Sequence, residues 1–185
     1  ALTCVAYPTA RAFCLAEGGD LPTEAQWEYA ASAAGRATKT LYTWGDDPPT
    51  CDHATFGHGF SPLECPKGDG GPLPFAGGDE TPLGIRNLTG NLEELMRDSH
   101  AAFGTNCWVL APPTDPQCDL PAPPECVADP TSAECRAGPG DRRSQRGGSW
   151  FSTSSELRAV RRTEYVRAEA PGNSLTGFRC VYPAP

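Results

Sequence analysis

The sequence predicts an α+β domain with two short helices, short strands and long irregular loops pinned by disulfides. Three observations carry this. Two helical signals stand back to back near the start, and no comparable period recurs after them. The 185 residues include 20 Gly and 20 Pro, which cut the remainder into pieces too short for further long helices. Nine cysteines, with no CxxC pair and no Cys/His zinc spacing, point to cross-links formed in an oxidising compartment. A chain of this length is expected to form a single domain, residues 1–185.

Residues 8–17, PTARAFCLAE, read as the first helix. Pro8 suits a first turn because the N–H it lacks would be unsatisfied there anyway; Ala10, Phe13 and Cys14 share a face, and Gly18-Gly19 end the run. The second helix follows at once in LPTEAQWEYAASAAG. Thr23 and Gln26 have the spacing of a capping box, Glu24 sits at the positive N-terminal end, and Gly35 is a natural stop. Trp27 falls where it can pack on Pro22. From Thr40 to Asn87 only strand-like pieces, LYTW and ATF, interrupt the loops. Residues 111–140 hold eight prolines and three cysteines; composition alone reads as linker, and the cysteines make it a pinned surface insertion. RGGSW, LRAVRR and TGFRCVY then read as short strands.

Formal net charge is −8 at pH 7, which argues against a nucleic-acid partner, since phosphate tracking needs a basic face. The charge is unevenly divided. Residues 1–135 carry 6 Lys/Arg against 19 Asp/Glu, and residues 136–185 carry 9 against 4. The preferred reading packs the basic tail on the acidic body; an anion-binding tail is the alternative. No apolar run is long enough for a membrane span. The opening ALTCVAYP reads as the middle of a domain whose first portion is expected to be missing.

LPTEAQWEYAA, YTWGDD, PLGIRNLTGNLEEL, RGGSW and GFRC occur in this order between residues 13 and 180. Together they resemble the formylglycine-generating enzyme, or sulfatase-modifying factor, family. That resemblance implies a C-type-lectin-like fold with short antiparallel strands, the family's opening strands being absent here. It implies a disulfide between Cys14 and Cys180, which closes a loop long enough for about 5 kcal/mol of chain-entropy stabilisation. A second family disulfide is lost: its first position is Ala31, and residues 146–162 contain no cysteine. Cys51 and Cys65 are expected to form a local bridge. Cys107, Cys118, Cys126 and Cys135 allow three pairings among themselves, and Cys4 is left as the odd thiol.

RNLTGNLEEL has three readings: a glycosylation sequon at Asn87, an ordinary helix start with acidic residues near it, and a calcium site. Calcium is preferred. The family binds it with an Asn side chain, two backbone carbonyls and a Glu side chain, at positions matching Asn87, Gly90, Leu92 and Glu94, and hard oxygens in a tight turn suit that ion. A second family site loses its Asn to Thr55.

Formylglycine formation in the family needs two thiols after the GGS motif to hold copper while oxygen attacks a substrate cysteine. Residues 151–157 are Phe, Ser, Thr, Ser, Ser, Glu and Leu, none able to replace thiolate as a ligand for cuprous copper. The tryptophans that follow GN in the family are replaced by Glu93 and Leu95. His53, His58 and His100 lack facial-triad spacing, and no nucleophile elbow surrounds Ser149 or Ser152. Copper is therefore not expected. What remains is a calcium-braced rim of Trp150, Phe151, Ser152, Thr153, Ser154, Arg158, Arg161, Arg162 and Tyr165, residue types suited to recognition. The arginines could equally be structural. The expected function is a non-catalytic, extracytoplasmic (secreted, periplasmic or surface) module binding a protein, peptide or small molecule. The alternative is an oxidase acting on a substrate cysteine through altered residues.

Overall fold

The computed structural model describes residues 2–59, 71–73, 78–120, 142–166 and 173–183. Helix α1 runs Tyr7–Ala16 with Pro8 in its first turn, and buries Tyr7, Ala10 and Cys14. Helix α2 runs Glu24–Ser32, and its capping box forms in both directions: Gln26 N–H donates to the Thr23 hydroxyl, and Thr23 N–H donates to Gln26 Oε1. These are the two helices expected. A third, single-turn helix, α3 (Asn106–Val109), and a 3-10 helix at Ser154–Leu157 were not legible in the sequence.

Among the described residues four strands make the sheet: β1 (Glu93–Ser99), β2 (Arg142–Arg146), β3 (Arg162–Val166) and β4 (Thr176–Gly177), in the order β3-β2-β1-β4. The helix reading of LEEL is corrected here, because residues 93–99 are extended. Burial explains it: Glu94, Leu95, Met96, Asp98 and Ser99 are all buried, a load carried by a strand covered on both faces. The sheet is mixed rather than wholly antiparallel. β1 pairs antiparallel with β2 and β2 with β3, but β1 runs parallel to β4, which the long connection through β2 and β3 permits. LYTW contributes only the isolated bridge Tyr42–Gly45, RGGSW leaves the sheet after Arg146, and LRAVRR enters it at Arg162.

Among the described residues three buried clusters knit these elements. Tyr7, Ala10, Cys14, Leu21, Leu95 and Tyr165 join α1 to the sheet; Trp27, Ala31, Leu88, Met96 and Ala159 join α2 to it. Tyr42, Ala54, Phe56 and Leu157 collect the loops. Cys14 and Cys180 are bonded across a sequence separation of 166, tying α1 to the chain's end. Cys107 is bonded to Cys118. Cys51 is disulfide-bonded; Cys65, its expected partner, lies outside the described residues, as do Cys126, Cys135 and residues 121–140 of the insertion. Cys4 is an exposed free thiol.

The basic tail packs on the acidic body. Buried Glu24 accepts from Arg146 Nε at 3.0 Å, from Arg162 Nε at 2.5 Å and Nη2 at 2.6 Å, and from the Ser144 hydroxyl. Burial alone would raise its pKa, but Arg162, Arg146 and Ser144 together hold it below the ordinary glutamate value. Arg143 pairs with Asp119, and Arg179 with Glu94.

Candidate functional site

The stretch after β2 is fixed by backbone contacts that allow no side chain. Gly147 has φ +96°, and a Cβ there would lie 2.3 Å from the Leu88 carbonyl oxygen. Gly90 N–H donates to Gly147 O, Trp150 N–H to Asn91 O, Gly57 N–H to Ser152 O and His58 N–H to Trp150 O. Segments 54–58, 87–92 and 147–152 thus form one backbone-bonded platform.

On that platform the predicted rim residues separate. Ser152 turns inward, its hydroxyl accepting from Ser149 N–H at 3.0 Å, so it closes the turn rather than facing solvent. Thr153 and Glu156 cap the 3-10 helix reciprocally, which seats Leu157 in the core. Facing outward are Phe151, Arg158 and Arg161, with Trp150, Thr153 and Ser154 half-buried. The Trp150 and Phe151 rings meet edge to face at 5.7 Å, and His58 packs against Trp150 at 6.1 Å. Thr153, Ser155, Glu156 and Arg161 line an open depression of about 510 Å³. Arg161 lies 3.7 Å from Glu156, whereas Arg158 makes no ion pair among the described residues.

Besides Ser152, two further predicted residues do not reach the rim. Tyr165 points into the core beside Leu95 and Tyr7, and Arg162 is consumed by Glu24. Both lie on β3, whose pairing with β2 directs them at the helices. The sequence also gave no notice of Phe103 and Trp108, which stack around the Arg162 guanidinium at 4.3 and 5.6 Å.

Of the four expected calcium donors, Asn87, Leu92 and Glu94 line one cavity of about 310 Å³, shared with Arg179. Gly90 adjoins it with φ +76°. The Glu94 carboxylate accepts from Trp27 Nε1 at 2.7 Å and from Arg179 Nε at 2.7 Å and Nη2 at 2.5 Å. Burial opposes the Arg179 charge, yet Glu94 raises its pKa above the ordinary value. The expected donors are all hard oxygens, the class calcium takes, but the Arg179 guanidinium already bonds both Glu94 oxygens and the Asn87 carbonyl. Among the described residues no three His, Cys, Asp or Glu side chains come together as a metal site. Copper does not fit residues 151–157, which supply no thiolate.

The model of the sulfatase-modifying factor enzyme 1-like domain matches residues 2–184. The chain belongs to this family. With membership comes the C-type-lectin-like α+β fold that the five ordered motifs implied. A segment of 42 residues is 55% identical to the formylglycine-generating enzyme of Mycobacterium tuberculosis, but that match spans 23% of this chain and 13% of the enzyme. Among solved structures, Treponema denticola variable protein 1 superposes with a TM-score of 0.51 over 85% of this chain and 45% of its own, at 23% identity, a likeness of fold alone. The chain thus covers less than half the length of either relative.

Proposed function

We propose that this sulfatase-modifying-factor-like domain is a non-catalytic, extracytoplasmic binding module whose contact surface is the rim of Trp150, Phe151, Thr153, Ser154, Arg158 and Arg161. One observation carries the reading. On the family's backbone platform, the positions that would need two thiolates for copper hold aromatic, hydroxyl and carboxylate side chains, and Ser152 and Glu156 are spent on the turn itself. Exposed Arg and aromatic groups on a rigid frame are the usual material of recognition. The disulfides support an extracytoplasmic setting. Calcium held by Asn87 and Glu94, with the carbonyls of Gly90 and Leu92, would brace the platform from behind. The Arg179 charge beside Glu94 would weaken such binding, since calcium affinity follows the charge of the ligand set.

The test is selection from a phage-displayed random peptide library against the folded, oxidised domain. Selected peptides should lose binding to Phe151→Ala and to Arg158→Ala/Arg161→Ala. Peptides indifferent to both variants would place the contact surface elsewhere.

A further inference from the structure

A second cavity, of about 410 Å³, opens between α2 and the loop that follows β1, and the rim plays no part in it. Its walls are aromatic. Tyr29 supplies one side from the helix, 61% exposed; Phe103, 65% exposed, and Trp108 supply the other from the loop.

The loop wall is pinned in place. The Arg162 guanidinium lies beneath the Phe103 and Trp108 rings, and its Nη1 donates to the Ala101 carbonyl at 3.0 Å. Trp108 Nε1 donates to the same carbonyl at 3.1 Å, Cys107–Cys118 closes the loop, and Asp98 accepts from Cys118 N–H at 2.6 Å. Aromatic rings held this firmly yet left open to water return little core burial; a preformed ligand wall accounts for them.

The polar groups of the cavity decide what the ligand must bring. Glu24 is taken up by Arg146, Arg162 and Ser144, and Glu28 is shared between Arg146 and Lys39, each at 3.1 Å. At the lining Arg146 and Lys39 thus meet Glu24 and Glu28, two cations against two carboxylates, while Arg162 lies behind them in the field of Asp98 as well. Donors are also left over at the mouth. The exposed Lys39 ammonium has three N–H groups and one partner, and the Tyr29 hydroxyl makes no hydrogen bond among the described residues. A ligand that uses these donors carries an acceptor, best a carboxylate on the Lys39 ammonium, and one that fills the walls carries a planar ring.

We propose that this cavity binds an aromatic carboxylate, its ring stacked between Tyr29 and the Phe103–Trp108 wall and its anionic group on Lys39. A cationic ligand would meet the Lys39 charge with nothing to accept its N–H groups, and a neutral acceptor would bind them more weakly than a carboxylate.

Titration calorimetry on the oxidised domain tests this with indole-3-acetate, its neutral amide indole-3-acetamide, and cationic tryptamine. Indole-3-acetate should bind about fivefold more tightly than the amide, the gain available to one exposed ion pair, with tryptamine weakest. Phe103→Ala should weaken indole-3-acetate about tenfold by removing the ring contact. Lys39→Ala should abolish the preference for the acid over the amide. Both positions are exposed, so thermal melts should show the variants folded. Equal binding of the three compounds, preference for tryptamine, no binding of any, or indole-3-acetate affinity unchanged in both variants would each overturn the proposal.

Discussion

Replacing Glu24 with Gln leaves two arginines facing an amide where they now face a carboxylate. Glu24 is 2% exposed, and the side chains of Arg146 and Arg162 are 2% and 13% exposed. Three guanidinium N–H groups and the Ser144 hydroxyl donate to it, so the change strips the counter-charge without creating a cavity. Removing one partner of a buried ion pair costs about 3–5 kcal/mol, because the orphaned charge stays in low dielectric. Arg146 retains Glu28 at 3.1 Å, which sets the expected loss near the low end, about 3 kcal/mol. Urea denaturation of the oxidised domain, followed by circular dichroism, should move the midpoint at constant slope. Arg161→Ala removes a pair 3.7 Å apart with a half-exposed arginine and should cost under about 0.5 kcal/mol. A loss for Glu24→Gln below about 1 kcal/mol refutes the idea that this cluster fixes α2 against the sheet.

Cys14→Ser should lower stability by up to about 5 kcal/mol, the loop-closure limit for so long a span, and an unchanged urea midpoint would contradict a structural role for Cys14–Cys180. If calcium braces the platform, a chelator should lower the melting temperature of the wild type but not that of Glu94→Gln; equal chelator responses would rule the ion out. Burial, against hydrogen bonds from Cys118 and Glu24 N–H, lifts Asp98 from 3.8 to about 6. Burial likewise lifts Asp79 to about 6, against Thr43 and Thr89. Between those values the folded state holds protons that the unfolded chain has released, so this contribution to stability falls as pH rises from about 4 to 6, and the penalty persists above. Denaturant melts across that range should show a flatter pH slope in Asp98→Asn than in the wild type; identical slopes would contradict the assignment.

Local chemistry made part of this molecule legible. The Thr23–Gln26 box, Pro8 and the glycines after each helix act within a few residues, and the structure repeats them. Charge division along the chain foreshadowed the pairing of tail and body. The strand at Glu93–Ser99 was hidden because its burial comes from both faces, which erases the alternation that marks a half-exposed strand. Of the expected rim residues, Phe151, Arg158 and Arg161 lie at the surface and Trp150, Thr153 and Ser154 are half-buried, whereas Ser152 turns in to close its loop, a contact chain order alone does not reveal. Arg162 and Tyr165 were misplaced because strand pairing, not proximity in sequence, sets which way they point. Phe103, Trp108 and Tyr29 carried no shared signal, since a disulfide loop and a helix face meet only in three dimensions.

The binding-module account is tested most directly by incubating the reduced, copper-loaded domain with oxygen and a sulfatase-type peptide containing one cysteine, then weighing the peptide. The account predicts no change of mass while the domain, reoxidised, keeps its native circular dichroism. Loss of about 18 Da, the net change when a thiol becomes an aldehyde, would mean that residues 151–157 are not the determinant and that the domain is an enzyme.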